Sequence, residues 1–258
     1  MVAVLAKTQG VGRTSGLLGS AKFILSNFGY FLKTDAPLGV HLHYVRTLLK
    51  YAGIRSRYRG ARADFAEWVK HGRFSTDWVS AKIPFWLEAF GEQSSRELEV
   101  LEIGSWEGMS SCFLLRALPK ARLTCVDTWM GGDEHQGRQG LNEIEANFEA
   151  NVAPYRDRVT KIRISSLGFF ATTQAEARYD LIYVDGSHRA DDVIIDAIQC
   201  HARLKVGGLM ILDDYLWRDY DDWRNNPAPA INAFLKMKAG CYEHVLVYHQ
   251  LILRKVAA

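Results

Sequence analysis

Two rhythms of apolar residues divide this chain. From about residue 39 to 90 they recur at helical spacing: Leu42, Val45, Leu49 and Ala52 lead up to Gly53, which the pattern predicts as a helix stop. A basic loop, IRSRYRGAR, follows at 54–62. The segments ADFAEWVKHG and STDWVSAKIPFWLEAF predict two further helices, the second capped near Ser75 to Asp77 and disturbed at Pro84.

After residue 96 the rhythm changes to short β-rich runs: LEVLEI (98–103), RLTCVD (122–127), VTKIRI (159–164), DLIYVD (180–185) and LMILD (209–213). Helical stretches lie between them. The clearest is 189–204, where Val193, Ala197, Ile198 and Leu204 share a face and Asp191 and Asp192 suit the positive N-terminal end. Strand and helix alternating in this way predict a parallel sheet covered on both faces. The chain closes with a helix, INAFLKMKAG, and with YEHVLVYHQLILRKV, two strands able to form an antiparallel hairpin at the sheet edge.

Composition narrows the class. The 258 residues are 48% hydrophobic, and no apolar run approaches the roughly 20 residues of a membrane span. The expectation is a soluble globular protein. Cys112, Cys125, Cys200 and Cys241 form no CxxC pair, which suggests neither a zinc site nor a disulfide framework and fits a reducing cytoplasm.

Charge is uneven. Residues 1–62 hold ten Lys or Arg against one acid, Asp35, a balance of +9 that leaves −6 for the remainder. Such a basic arm can meet an anionic partner, while its plainer reading is a solvated helical face. Lysines and glycines break the apolar stretch GLLGSAKFILSNFGYFL, unlike the core of a secretory signal.

The chemistry gathers at predicted strand ends, where open α/β sheets bind ligands. The first strand runs into EIGSWEGMSS, with Glu102, Gly104, Ser105, Gly108 and Ser110. Its glycines permit a tight turn and close ligand approach, but the GxxxG spacing departs from the GxGxxG of a dinucleotide loop. The second strand ends in Asp127, able to accept both hydroxyl hydrogens of a ribose or simply to cap a turn, and Thr128 and Trp129 are placed to flank an adenine. Ser165 and Ser166, after the third strand, suit a base edge. The fourth delivers Asp185 and His188 in VDGSH, and the fifth ends in Asp213 and Asp214.

Taken together these residues resemble the class I S-adenosylmethionine-dependent methyltransferases over about residues 74–255. The ordered motifs VDTWMGGDEH, YVDGSHRADDVIIDAI, LKVGGLMILDDYLW and PAPAINAFL are similar to the branch of macrolide-sugar and aminocoumarin-sugar O-methyltransferases and cephalosporin-pathway methyltransferases. The resemblance implies a Rossmann-like seven-stranded, mostly parallel α/β sheet, with a basic helical arm at 1–73 and a methyltransferase domain at 74–258. It implies S-adenosylmethionine as cofactor, held by Glu102, Gly104, Ser105, Gly108, Ser110, Asp127, Thr128, Trp129, Ser166 and Asp185.

The resemblance also implies Mg²⁺ or a similar divalent cation on Asp185, Asp213 and Asp214. Adjacent parallel strands stand about 4.8 Å apart, so one cation can bridge two carboxylates at their ends. His188 is the expected base, with Asp185 its rival. Glu134 and His135 are candidates for substrate or metal contact, and Tyr215, Trp217 and Trp223 for an acceptor pocket.

The expected substrate is a hydroxylated small molecule, with no nucleic-acid partner. Contact of the arm with an anionic membrane and self-association are left open. A nucleotide-binding oxidoreductase and a non-catalytic binding protein acting through its basic arm are the alternatives. Val206 where the family usually has Pro, and a terminal hairpin without a turn glycine, are departures from the family pattern.

Overall fold

A computed structural model describes residues 17–132 and 140–258. Its sheet is built from β1 (Glu99–Ile103), β2 (Arg122–Asp127), β3 (Val159–Arg163), β4 (Tyr179–Val184), β5 (Leu204–Leu212), β6 (Tyr242–Val247) and β7 (Leu251–Lys255). The spatial order is β3-β2-β1-β4-β5-β7-β6. The first five are parallel; β7 enters antiparallel between β5 and the edge strand β6. This is the seven-stranded, mostly parallel, Rossmann-like architecture that the resemblance implies, and it contains the parallel sheet that the strand-helix alternation predicts.

Alternation along the strands divides the interior into two cores. Side chains on a strand point to opposite faces in turn. Val100, Leu181, Tyr183, Leu209 and Ile211 therefore pack on the side of α4 (Ile83–Phe90) and α5 (Met109–Ala117). Leu101, Ile103, Ile182, Val184, Met210 and Leu212 face the other way, toward α8 (Ala190–Arg203) and α9 (Pro227–Met237). Of the remaining crossover helices, α6 (Ile144–Val152) contributes to the first core and α7 (Ser166–Thr172) to the second.

The N-terminal region forms α1 (Leu17–Lys33), α2 (Leu38–Arg57) and α3 (Arg59–Val69). Three expectations change here. Gly53 does not stop a helix: α2 runs through it to Arg57, and the predicted basic loop at 54–62 is almost wholly helical. A glycine in a helix costs only ~1 kcal/mol, and burial of Ile54 and Phe65 on either side of Tyr58 holds both helices to the body. Pro84 begins α4 instead of disturbing it, because the first turn of a helix needs no proline N–H. The stripe of Leu42, Val45 and Leu49 faces outward, while Val40, Tyr44, Thr47 and Ile54 are buried.

Hydrogen bonds cross the expected boundary at 73/74. Asn151 accepts from the Arg73 N–H at 2.7 Å and donates to its carbonyl at 3.0 Å. The arm is thereby fixed to the sheet beside the glycine loop. No helix among the described residues is long and apolar enough to cross a membrane.

Candidate active site

Strand order reverses between β1 and β4, and the candidate site lies at the carboxyl ends around that switch. Gly104, at φ +84°, passes so close to β4 that a Cβ there would lie 1.9 Å from the Asp185 carbonyl oxygen. Only glycine fits. Among the described residues four non-glycines adopt positive φ, and three of them, Trp106, Trp129 and Asp214, stand at these strand ends. Strained backbone concentrated at one place is a mark of a functional site.

On the β1–β2 side the polar groups meet hydroxyls and backbone N–H groups, with one oxygen of Glu102 buried without a partner among the described residues. Glu102 is fully buried and accepts from the Ser105 hydroxyl at 2.8 Å and from the Ser111 hydroxyl. Burial pushes its carboxyl above the usual carboxylate range, against the hydroxyls that donate to it. Ser105 and Ser110 are buried with it. These residues brace the loop from beneath.

Asp127 Oδ2 accepts from the Ser105 and Trp106 N–H groups at 2.7 and 2.8 Å, and Oδ1 from the Trp129 N–H at 2.7 Å. A carboxylate offers about four acceptor positions, so one remains for a ribose hydroxyl where sequence suggested two. Trp129 is 3% exposed, its ring against Phe148 at 4.9 Å and its indole N–H on the Trp106 carbonyl at 2.9 Å. The indole belongs to the core and forms no open adenine wall. The Thr128 hydroxyl accepts from the Met130 N–H at 3.2 Å as a turn residue. Gly108 begins α5 with φ +79°. Ser165 caps α7, and the Ser166 hydroxyl bonds Asp196 on α8. A cleft of about 300 Å³ opens beside this loop, lined by Phe74, Ser75, Trp106, Glu107 and Asn147 among others.

The β4–β5 side departs most from expectation. Asp185, Asp213 and Asp214 do not converge as one triad. Asp213 follows the alternation of Leu209 and Ile211 toward α4. Its Oδ2 accepts from the Lys82 ammonium, from the Tyr183 hydroxyl and from the Gln250 amide at 2.8 Å; its Oδ1 accepts from the Asp214 N–H at 2.8 Å. The Oδ2 of Asp213 is crowded with donors, and Lys82 supplies a cation beside it. Lys82 also stands 3.9 Å from Asp185, whose Oδ2 lies 2.5 Å from the Tyr183 hydroxyl, so the single phenol proton is shared between Asp185 and Asp213. Burial would make Lys82 shed its proton, but the facing carboxylates raise its pKa above the usual lysine range. Burial and the charge of Asp213 push Asp185 well above the carboxylate range, with Lys82 opposing.

Asp214 turns to the opposite face, where its Oδ2 lies 2.6 Å from His188 Nε2. Burial would raise the Asp214 pKa, yet the bond and charge of His188 bring it down to about 2. The imidazole stacks on Trp217, ring centroids 4.8 Å apart at 19°. One ligand atom from each of Asp185, His188 and Asp214 falls within 4.8 Å of the others, a group able to hold a cation.

Sequence reasoning missed Lys82, Tyr183 and Gln250. Tyr183 was legible by parity, two residues before Asp185 on the same face; the other two come from distant elements. Of the proposed pocket aromatics only Trp217 reaches the site. Tyr215 is fully buried, its hydroxyl on Asn232 at 2.7 Å and its ring stacked on Phe31. Trp223 lies under the Lys33 ammonium, 5.3 Å from its centroid. Glu134 and His135 lie outside the described residues.

The sheet order, the glycine passage against β4 and the acids at successive strand ends define a Rossmann-like methyltransferase fold. Residues 101–215 match the family described as methyltransferase domain, which covers β1 to the end of β5 and every acid just named. Residues 101–215, less than half of the chain, thus resemble a methyltransferase domain, and the match supports an enzyme.

Among solved structures it is similar to the S-adenosylhomocysteine-bound methyltransferase PaMTH1 of Podospora anserina, at 16% identity and TM-score 0.53, over 77% of this chain and 88% of that one. It is also similar to the O-methyltransferase TomG of Streptomyces achromogenes, involved in tomaymycin synthesis and solved with S-adenosylmethionine, at 18% identity and TM-score 0.51, over 77% and 90%. No curated protein matches the sequence.

Proposed function

We propose that the protein is an S-adenosylmethionine-dependent O-methyltransferase acting on a hydroxyl of a sugar or another hydroxylated small molecule. The observation that carries this reading is the 2.6 Å contact between His188 Nε2 and Asp214 Oδ2, beside Asp185, whose backbone packs on Gly104. A carboxylate-held imidazole next to a methyl-donor site is equipped to take a proton from an acceptor hydroxyl. O-methyl transfer is also the activity named for TomG.

His188 accepts the proton as the hydroxyl oxygen bonds to the donor's methyl carbon, and the sulfur–carbon electron pair stays on sulfur. Asp214 orients the imidazole and stabilises its charged form. Asp127 offers its one remaining acceptor position to a ribose hydroxyl, and Gly104 lets the donor approach the backbone.

Asp185, His188 and Asp214 fit a divalent ion in number and donor type, with Asp213 withdrawn to Lys82. Such an ion would polarise the acceptor hydroxyl. Asp185 and Asp214 are its oxygen ligands in this reading, and Lys82 keeps their buried neighbour neutralised.

The test is titration calorimetry with S-adenosylhomocysteine, then turnover with hydroxylated acceptors, with and without a chelator. Saturable one-site binding followed by acceptor-dependent turnover supports the assignment. A folded protein that binds no S-adenosylhomocysteine sinks it, whereas turnover insensitive to chelator removes the metal alone.

A further inference from the structure

The helices α1 and α2 are apolar on two opposed sides, and the protein uses only one. On α2 the inward side is Val40, Tyr44, Thr47 and Ile54; on α1 it is Asn27, Tyr30 and Phe31. Opposite them, Leu38, Leu42, Val45 and Leu49 stand 73%, 52%, 41% and 81% exposed along α2, and Leu25 and Leu32 stand 70% and 75% exposed on α1. Steps of four, three and four residues keep the α2 set in one continuous ridge. A surface helix normally shows polar residues there.

Cations border this ridge. Arg46 and Lys50 each follow a ridge residue by one position, about 100° around the helix, and Lys22 is exposed on α1. Lys22, Arg46 and Lys50 make no ion pair among the described residues. Neither α1 nor α2 contains an acid.

The occupant must therefore supply both an apolar phase and negative charge. A second copy packed ridge to ridge would be isologous, setting Arg46 and Lys50 against their own counterparts with no Glu or Asp to alternate with them. We infer that the outer face of α1 and α2 docks on an anionic lipid bilayer, its leucines entering the acyl boundary while Lys22, Arg46 and Lys50 meet the headgroups. The helices lie on the surface, since none crosses it. This site is independent of the methyl-transfer reading.

The test is co-sedimentation of the full chain with vesicles of phosphatidylcholine alone or with about one-third phosphatidylserine. The protein is expected to pellet with the anionic vesicles only, and less as salt rises. The double variant Arg46→Glu/Lys50→Glu should lower partitioning by roughly 30-fold or more, given about fivefold per cation. Leu42→Ser/Leu49→Ser should lower it about tenfold or more, with unchanged circular dichroism and S-adenosylhomocysteine binding.

Equal binding to neutral and anionic vesicles, or none to either, overturns the inference. So does a leucine variant that binds like the parent, because charge alone would then suffice. A dimer in sedimentation velocity that the leucine variant dissociates would assign the ridge to a second copy instead.

Discussion

The two sides of the strand reversal handle buried carboxylates in different ways. On the β1–β2 side, Glu102 and Asp127 accept from hydroxyls and backbone N–H groups, with Ser105 bonding both. On the β4–β5 side, Asp213 draws its cation from Lys82, 131 residues earlier, and an amide from Gln250, 37 residues later. The first side spends no charge and is a stiff scaffold. The second concentrates three carboxylates, a lysine and a histidine, where the proposed function places the proton transfer. Neutral hydrogen bonding sets position; opposed charges set reactivity.

Gly104→Ala attacks the seam between the two sides and should have the largest effect. The added Cβ would meet the backbone of Asp185, which cannot yield. A loss of more than ~3 kcal/mol in urea unfolding, or failure to fold, is expected. Near-parental stability would mean that the two sides are not so tightly joined.

Lys82→Ala strips the charged side of its internal cation. One partner lost from a buried ion pair costs about 3–5 kcal/mol. If Mg²⁺ restores most of the thermal stability of this variant while leaving the parent unmoved, the carboxylates accept a metal only where lysine is absent. A parent stabilised by Mg²⁺ supports the site of Asp185, His188 and Asp214.

Asp127→Ala probes the neutral side. Removing a charged hydrogen-bond acceptor, with three N–H groups left unpaired, should weaken S-adenosylhomocysteine binding by roughly 10–100-fold in calorimetry. An unchanged affinity would leave Asp127 a purely structural brace.

The smallest effect belongs to Asp214→Asn. The folded pKa of Asp214 lies at about 2, below the ordinary carboxylate value. Its contribution to stability is therefore complete above the unfolded pKa, near ~4, and fades as pH falls through the folded value. The variant should lose on the order of 1 kcal/mol at neutral pH, after solvent screening, and show a shallower acid limb in thermal unfolding. It should also slow turnover by misorienting His188. An acid limb as steep as the parent's would assign that limb to other groups.

The scaffold was more legible in sequence than the charged side, for a physical reason. Short runs of Val, Ile, Leu and Tyr bounded by turn residues read as strands buried on both faces, and Gly104 and Asp127 stand at strand ends that the pattern marks directly. The pairing of His188 with Asp214 joined two strand ends already expected to meet. Parity along β5 also separates Asp213 from Asp214, but an expected common cation drew the two together. Lys82 carried no local mark: it stands before Pro84 in a segment read as a helix disturbed at that proline, and only the packing of α4 against Tyr183 brings it to the acids. The outward ridge of α2 was misread for the same reason, since periodicity reveals a stripe but not which side the body occupies.

Gln250 joins these distant parts in a way that bears on biosynthesis. Its side chain accepts from the Trp86 indole at 2.6 Å and donates to Asp213 at 2.8 Å, tying α4 and the β5 end to the last hairpin. On the ribosome, Lys82 is made long before its carboxylate partner, and Asp213 emerges before the amide that completes its shell. The catalytic end of the sheet can close only after the final strand pair has been released, so a nascent chain stalled before residue 250 would hold the right acids and still lack a finished site.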